Sequence, residues 1–488
     1  MGPLLVTAPL LVPLATAFVT ALSAGRARLQ RALSLAGVLA LLACAAALMA
    51  DVHLNGSARI AFGNWPPPFA IEFAADGLGA GMTLIAAVMG TACLLFQWSD
   101  ADPAPQTPML LPLVHALLAG VGGAFLTADL FNLYVWFEVM LIAALGLLAY
   151  RAGAHHLDAT LKYFVLNTIA AFLLLIGVAY VYAVTGHLNF AALERAAAGI
   201  DAWRLLPFVT MVAVALLIKA AGFPLFAWLP AAYHTLPAPV LALFAALTTK
   251  VAVYALLRLL RDVFPGSPPL LYDSLGWIAV ATMLTGVLGA AYHWDMRRIL
   301  AFHIVSQIGY MLLGIALATP GGDSATIFYV IHHIVVKANL FLLAAIVCRL
   351  TGSYDLRQTG GLYATRPWLG ALFLVPALSL VGIPPLSGFW AKLLVLRETL
   401  MLGHVAWVVI ALLVSLLTLY SMLKIWHEAF WKRHPQPGWQ PAADARLTPA
   451  LLVSGGLAGL TLLMGTWPEP FVRYALQAAG SLHRVVAP

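Results

Sequence analysis

The sequence predicts an all-α polytopic membrane protein of about fourteen transmembrane helices, with two inverted five-helix repeats, each containing a broken helix. Three observations carry that expectation. Charged residues make up only 9% of the 488 residues against 62% hydrophobic ones, and mean hydropathy is +0.94. A soluble domain carries about 25% charge, and a water-soluble chain this size cannot bury nearly every segment on all sides. Apolar runs of about 20 residues, the length that crosses a bilayer, recur from end to end. Two of these runs, the seventh and the twelfth, are long, interrupted by glycine and proline, and carry a lysine beside the interruption.

In order, the spans fall at 3–23, 32–50, 77–98, 107–127, 130–150, 160–185, 206–231, 238–260, 272–292, 298–318, 324–350, 368–400, 404–430 and 449–476. Residues 1–104 hold three N-terminal helices. Residues 105–262 form the first repeat (helices four to eight), and 263–432 the second (nine to thirteen). Residues 433–488 hold a C-terminal loop and helix fourteen. The pairing rests on the seventh span, where Lys219 precedes Gly222-Phe223-Pro224, and the twelfth, where Gly382-Ile383-Pro384-Pro385-Leu386-Ser387-Gly388 precedes Lys392. Five helices per copy is an odd number, so the copies lie in opposite orientations. Paired broken helices in inverted halves point to an ion or substrate path near the midplane. The stretch from Asp51 to Asp76, with Trp65-Pro66-Pro67-Pro68, reads as an irregular cover over the bundle. His434 to Pro441, rich in Pro and Trp, reads as an interfacial loop.

The basic residues report topology. Arg26, Arg28 and Arg31 follow the first apolar run instead of preceding it, the reverse of a cleaved signal. With the N-terminus outside, 14 of the 26 lysines and arginines fall on inside loops, 8 on outside segments and 4 within spans. That bias follows the positive-inside rule and places both termini outside. The formal charge of +7 is scattered singly, with no basic face or arm, so it is not a nucleic-acid signal. Cys44, Cys93 and Cys348 lie far apart in apolar runs without metal-ligand spacing, so no disulfide, metal centre or other cofactor is expected.

Candidate function lies in the charges the membrane should exclude. A lysine at a helix centre costs about 2.5–3.5 kcal/mol on insertion scales. Lys219, Lys250, Lys337 and Lys392 all sit inside apolar runs, and Glu138 is the one acid deep in a span. Uncompensated, these five charges would cost roughly 12–17 kcal/mol, too much for a scaffold with a vestigial channel. A structural ion pair is the bland reading of Glu138; an acid in a proton path is the sharp one. A buried lysine's proton affinity depends on its distance from a carboxylate, so a lysine that moves relative to Glu138 is a proton site with two affinities. Helix breaks at Gly222, Pro224, Pro384 and Pro385 free backbone carbonyls and admit water at depth. His333 and Lys337, four residues apart, share one helical face, and imidazole titrates near neutrality. The expected proton-transfer residues are therefore Glu138, Lys219, Lys250, His333, Lys337 and Lys392, a lateral file across the bundle at one depth. His303, Ser306, Gln307 and His332 are candidate channel-lining groups. The Gly-Gly dipeptides precede no phosphate motif, and no nucleophile stands beside a base, so the reading is a transporter component and not an enzyme.

These stretches resemble the antiporter-like subunits shared by respiratory complex I and the Mrp-type (Mnh/Pha) multisubunit monovalent cation/proton antiporters. The resemblance covers Leu4 to about Trp467. It rests on DLFNLYVWFEVMLIA with Glu138, IKAAGFPLFAWLPAAYHTLPAPVLALFAALTTKVAVYALLR with Lys219 and Lys250, HHIVVKANLFLL with His333 and Lys337, and GIPPLSGFWAKLLVL with Lys392. Within the family it is similar to the D-type subunit of the Mrp antiporters. A lysine stands at position 392, where M-type complex I subunits have a glutamate, and the chain ends at Pro488 with no room for the long lateral helix of the L-type. The resemblance implies Glu138 and Lys219 as the acid–lysine pair, Lys250 as the connecting lysine and Lys392 as the terminal one. One departure is the Ala after Pro230, where related chains often have an acid.

The expected function is thus proton conduction through a Glu/Lys/His relay in one component of a multisubunit monovalent cation (Na⁺ or K⁺)/H⁺ antiporter. Its expected setting is the bacterial inner membrane, with other small and large membrane subunits and the lipid bilayer as partners. The alternative is an N- or M-type proton-pumping membrane subunit of NADH-quinone oxidoreductase or of a related membrane hydrogenase.

Overall fold

In a computed structural model, residues 2–67, 69–99, 107–150, 153–442 and 447–482 are described. The chain begins with α1 (Gly2–Leu22) and α2 (Ala27–Asn55), then a two-stranded antiparallel hairpin of β1 (Ala58–Ala61) and β2 (Glu72–Ala75). Next come α3 (Gly77–Ser99), α4 (Leu110–Leu126), α5 (Leu130–Leu148), α6 (Ala154–Thr185), the short α7 (Phe190–Ala197), α8 (Ala202–Ala220), α9 (Trp228–Tyr233) and α10 (Ala238–Arg258). The second half carries α11 (Pro269–Tyr292), α12 (Met296–Ala316), α13 (Pro320–Thr351), α14 (Leu362–Thr365), α15 (Pro367–Val381), α16 (Ser387–Met401) and α17 (Val405–Trp426). It closes with α18 (Leu447–Thr466) and α19 (Glu469–Leu482). Among the described residues, twelve helices are long and apolar enough to cross a membrane, and Leu110–Leu126 and Pro367–Val381 are shorter apolar helices. Each expected span coincides with one of these helices or with a helix pair.

Burial ranks the helices. The apolar windows of α10 and α13 are wholly buried and that of α12 is 94% buried, whereas those of α2, α6, α17 and α18 are only 28–39% buried. A helix hydrophobic all round belongs at a bundle's centre, and here the central helices also carry Lys250, His303, His333 and Lys337. Small residues let helices close in. A Cβ on Gly286 of α11 would stand 2.3 Å from the Ser306 backbone nitrogen of α12, and one on Gly309 would stand 2.6 Å from the Ala279 carbonyl.

Local features recur between the halves. Asp129 caps α5 by accepting from the Asn132 N–H at 2.8 Å, and Asp295 caps α12 by accepting from the Arg297 N–H at 2.8 Å. Asp129 forms an antiparallel bridge with Asn189, and Asp295 one with Asp355. α6 and α13 both end on a left-handed glycine, Gly186 (φ 73°) and Gly352 (φ 82°). α10 and α17 both run into a single π turn, Leu259–Val263 and His427–Trp431.

Three expectations change. The cover between α2 and α3 is not irregular but a paired hairpin, Ala58–Ala61 against Glu72–Ala75; Pro68 in its tip lies outside the described residues. The fourteenth span is two helices, because Pro468 has no N–H to continue α18 and biases Trp467 away from helix. The second piece, α19, lies against α3 and α13, burying Ala475, Ala478, Ala479 and Leu482. Arg258 and Arg261 are not loop charges: Arg258 pairs with Asp76 and Asp262 at 2.8 Å each, and Arg261 pairs with the fully buried Asp323 at 2.7 Å. The domain boundary expected at 104/105 lies outside the described residues, as do Arg151, Arg446 and Arg484 of the charge count.

Candidate functional site

The first break begins one residue past Lys219. α8 ends at Ala220, and Ala221 adopts a left-handed conformation (φ 63°) as its C-cap. The Gly222 N–H turns back to the Leu217 carbonyl at 2.8 Å, the Phe223–Pro224 bond is cis, and helix resumes only at Trp228. The freed groups find partners. The Phe223 N–H donates to Thr282 Oγ1 of α11 at 2.9 Å, and the Trp228 indole donates to the Ile218 carbonyl at 3.0 Å. Lys219 is 6% exposed, with Nζ 4.9 Å from the centre of the Phe137 ring. A cavity of about 20 Å³ joins it to Asn167, Tyr163, Trp228 and Thr248, room for about one water molecule. Glu138, the residue after Phe137, is half-buried on α5, and its Oε1 has no hydrogen-bond partner among the described residues. Among the described residues no ion pair joins Glu138 to Lys219, yet the two charges lie within Coulombic reach of each other.

At the centre, Lys250 and Lys337 are fully buried. Lys250 Nζ donates to the Ala245 carbonyl at 2.5 Å and Lys337 Nζ to the Leu300 carbonyl at 2.9 Å. His333 is also fully buried, and neither ring nitrogen has a partner among the described residues. It lies within Coulombic reach of Lys250, Lys337, His332 and His303 at once. A buried imidazole ordinarily has a partner for each nitrogen, which His333 lacks among the described residues. His303 Nε2 shares a 2.6 Å hydrogen bond with Ser421 Oγ, and His303 is within reach of both Lys337 and Lys392. His332 Nδ1 meets Ser387 Oγ at 2.8 Å, which meets Ser379 Oγ at 3.0 Å. Gln307 accepts from the Tyr329 hydroxyl at 2.6 Å, while its Nε2, Ser306 Oγ and both amide atoms of Asn339 are buried without partners among the described residues.

The second break reverses the order of lysine and interruption. α15 ends at Val381, Gly382 takes φ 98°, and Ile383 and the cis Pro384–Pro385 pair lead to α16 at Ser387. Lys392 follows by a turn and a half. Its Nζ donates to the Val381 carbonyl at 2.8 Å and to Ser415 Oγ at 2.9 Å, and lies 4.8 Å from the centre of the Tyr310 ring. Tyr310 in turn donates to the Ala411 carbonyl at 2.5 Å. The turn is tight: a Cβ on Gly388 would stand 1.7 Å from the Ser379 carbonyl oxygen.

Lys250, His303, His333 and Lys337 thus lie together on the central helices α10, α12 and α13, with Lys392 within Coulombic reach of His303 and His332 and Lys219 within reach of Glu138. Sequence reasoning missed Tyr310, Ser415 and Ser421, which bind Lys392 and His303, and Thr248, Asn167 and Asn339. Ser415, Thr418 and Ser421 recur every three residues in the apolar α17, a one-sided polar stripe that was there to be read.

Fold and site define a multi-pass integral membrane protein with ionisable groups threaded through its most buried helices. Residues 127–418 match the family described as NADH:quinone oxidoreductase/Mrp antiporter, TM, and the chain belongs to that family. It is 39% identical to the D-type subunit of the Na(+)/H(+) antiporter of Alkalihalophilus pseudofirmus, over 98% of this chain and 97% of that one. It is 37% identical to the N-type subunit of the NADH-quinone oxidoreductase of Desulforudis audaxviator, over 89% and 87%. A chain in the structure of the Mrp complex from a Dietzia species superposes with a TM-score of 0.91 at 34% identity, over 99% of this chain and 97% of that one.

Proposed function

We propose that the chain is a proton-conducting component of a multisubunit monovalent cation/proton antiporter, set in the bacterial inner membrane with both termini outside. In this reading it makes fourteen crossings, with the 105–262 and 263–432 halves inverted on one another. The caps, bridges, glycine stops and π turns that recur between the halves support that division. Protons pass along Glu138, Lys219, Lys250, His333, Lys337 and Lys392, with His303, Ser306, Gln307 and His332 lining the water between them. The membrane potential supplies about 2.3 kcal/mol per charge per 100 mV to drive protons inward, in exchange for outward Na⁺ or K⁺. The observation that carries the reading is His333, fully buried, with both nitrogens unpartnered and two buried lysines within Coulombic reach. A structural histidine would have its hydrogen bonds made. The test is Na⁺- or K⁺-dependent collapse of a pH gradient in inverted vesicles holding the assembled complex. Lys250→Ala and His333→Ala should abolish it with assembly intact; full antiport by either variant would end the proposal.

A second reading is a redox-driven proton pump, favoured by the 37% identity to an N-type subunit of NADH-quinone oxidoreductase. Mild-detergent purification separates the two. Small membrane partners without flavin or iron–sulfur absorption support the antiporter, and a coloured complex with peripheral subunits supports the pump.

A further inference from the structure

Away from the lysine file, at the end of α10 that the proposed orientation puts outside, lies a cavity of about 510 Å³. It is walled by the end of α2, the β hairpin, α7, the π turn after α10, and α19. Three carboxylates line it: Asp76, Glu194 and Asp262. Asp76 has its counter-ion. Arg258 donates to both of its oxygens at 2.8 Å, so although burial pushes its carboxyl up, Arg258 holds it below the usual range. Arg258 also donates to Asp262 Oδ2 at 2.8 Å and to the Tyr254 hydroxyl at 3.0 Å, which commits the guanidinium.

The other acids are short of positive charge. Asp262 is 8% exposed, and its Oδ1 is buried with no hydrogen-bond partner among the described residues. Glu194 is 9% exposed and has no ion pair among the described residues; its neighbour Arg195 turns to the Ala191 carbonyl. Burial pushes the Glu194 carboxyl up, and Arg195 offsets part of that. The second arginine on the wall, Arg59, is 49% exposed and pairs at 3.4 Å with a fourth acid, Glu72. Three carboxylates therefore line the cavity with Arg258, while Arg59 is engaged by Glu72, outside the lining. A buried site with surplus carboxylate oxygen takes up a hard cation. The small surplus, and room for the ion to keep water, fit a single charge better than a double one.

We propose that this cavity binds a partly hydrated monovalent cation, Na⁺ or K⁺, through Asp262 and Glu194. The inference rests on the antiporter reading and places a metal-cation station in this chain, on the helix that also carries Lys250. Lys250, Tyr254, Arg258 and Asp262 recur every four residues along α10, and the π turn carries the last of them into the cavity wall. π turns inside helices are frequent at functional sites.

The test is direct binding to the purified assembled complex, read as saturable broadening of the ²³Na NMR line, with K⁺ as competitor. Asp262→Asn and Glu194→Gln should each raise the Na⁺ concentration for half-saturation about tenfold or more, the usual scale for disturbing a metal site. Asp158→Asn, at an exposed ion pair elsewhere, should leave it unchanged. Glu194 sits on a short surface helix, so Glu194→Gln reports even if Asp262→Asn fails to assemble. Unchanged half-saturation in Glu194→Gln, or broadening displaced by Mg²⁺ but not by K⁺, overturns the proposal. Lys250→Ala should lose proton movement yet keep Na⁺ binding, so failure of the relay and failure of the cation site are read separately.

Discussion

The two broken helices solve one problem in opposite ways. Each brings a lysine to a place where a helix has been opened, and each sets an aromatic ring under the ammonium, Phe137 for Lys219 and Tyr310 for Lys392. At the second break the lysine is fixed: Lys392 donates to the Val381 carbonyl freed by the break and to Ser415. At the first break the corresponding carbonyl work is done by Trp228, which caps Ile218 and leaves Lys219 without a hydrogen-bond partner among the described residues. Lys219 has instead a half-buried acid within Coulombic reach and a one-water cavity beside it. A tethered amine holds its charge in one place, while an untethered one can approach or leave its carboxylate. Under the proposed function, switching therefore falls to the first break and a fixed terminus to the second.

The largest test is at the switch. Lys219→Ala should reduce cation-dependent collapse of a pH gradient by about a hundredfold or more, the scale of losing a positioned proton-transfer group. Lys219→Glu should do no better, since it puts like charges side by side. Lys392→Glu should keep activity within about tenfold of the parent, because a fixed proton site needs a titratable group more than a particular sign. Equal losses for the two glutamate variants would erase the distinction between switch and terminus.

A smaller effect separates the two left-handed turns. Gly382 occupies φ 98° at no steric cost, whereas Ala221 occupies φ 63° with a side chain. Ala221→Gly should be neutral or raise the thermal midpoint of the purified complex. Gly382→Ala should destabilise it by roughly 1–2 kcal/mol and lower that midpoint, since it forces an alanine into a left-handed turn. Its Cβ would also stand 2.9 Å from the Lys392 side chain, so proton conduction should fall with it.

The smallest test is a pH profile at the mouth of the first break. His234, in the loop after α9, is held down to about 4 by burial and then by Arg298, whose Nη2 lies 3.3 Å from its Nε2. The unfolded chain then binds a proton below about pH 6.5 that the folded chain refuses until about pH 4. Its contribution to stability is complete above about pH 6.5 and declines as pH falls toward 4. His234→Gln should flatten that decline in thermal midpoints taken from pH 7.5 to 5. A parallel decline in the variant would assign the acid sensitivity elsewhere.

The helices and the lysine positions were legible because both follow from one-dimensional rules, apolar run length and the cost of charge in hydrocarbon. The glycine and proline punctuation located both breaks and the lysine beside each, but not that Lys392 is tied across its break, which depends on Ser415 more than twenty residues away in sequence. The hairpin was illegible because ARIA and EFAA are too short to show strand alternation, and they pair across a proline-rich turn that reads as coil. Arg258 and Arg261 looked like loop charges because the acids that pair with them, Asp76 and Asp323, come from other helices' ends. Pro468 was readable, since Trp467-Pro468-Glu469-Pro470 interrupts the apolar run with two prolines and an acid.

The buried Arg261–Asp323 pair joins the end of the first half to the start of α13, and Arg261 also donates to the Ile315 carbonyl at 2.6 Å and the Tyr272 hydroxyl at 3.2 Å. Between these anchors the backbone surfaces at the exposed Pro265–Gly266. For protein engineering, the covalent link there is the dispensable one. A gene cut at Gly266 would yield two fragments that each carry half of a ready-made recognition code, so co-expressed pieces should find one another in the bilayer and report, as a split reporter does, on whether the halves have docked.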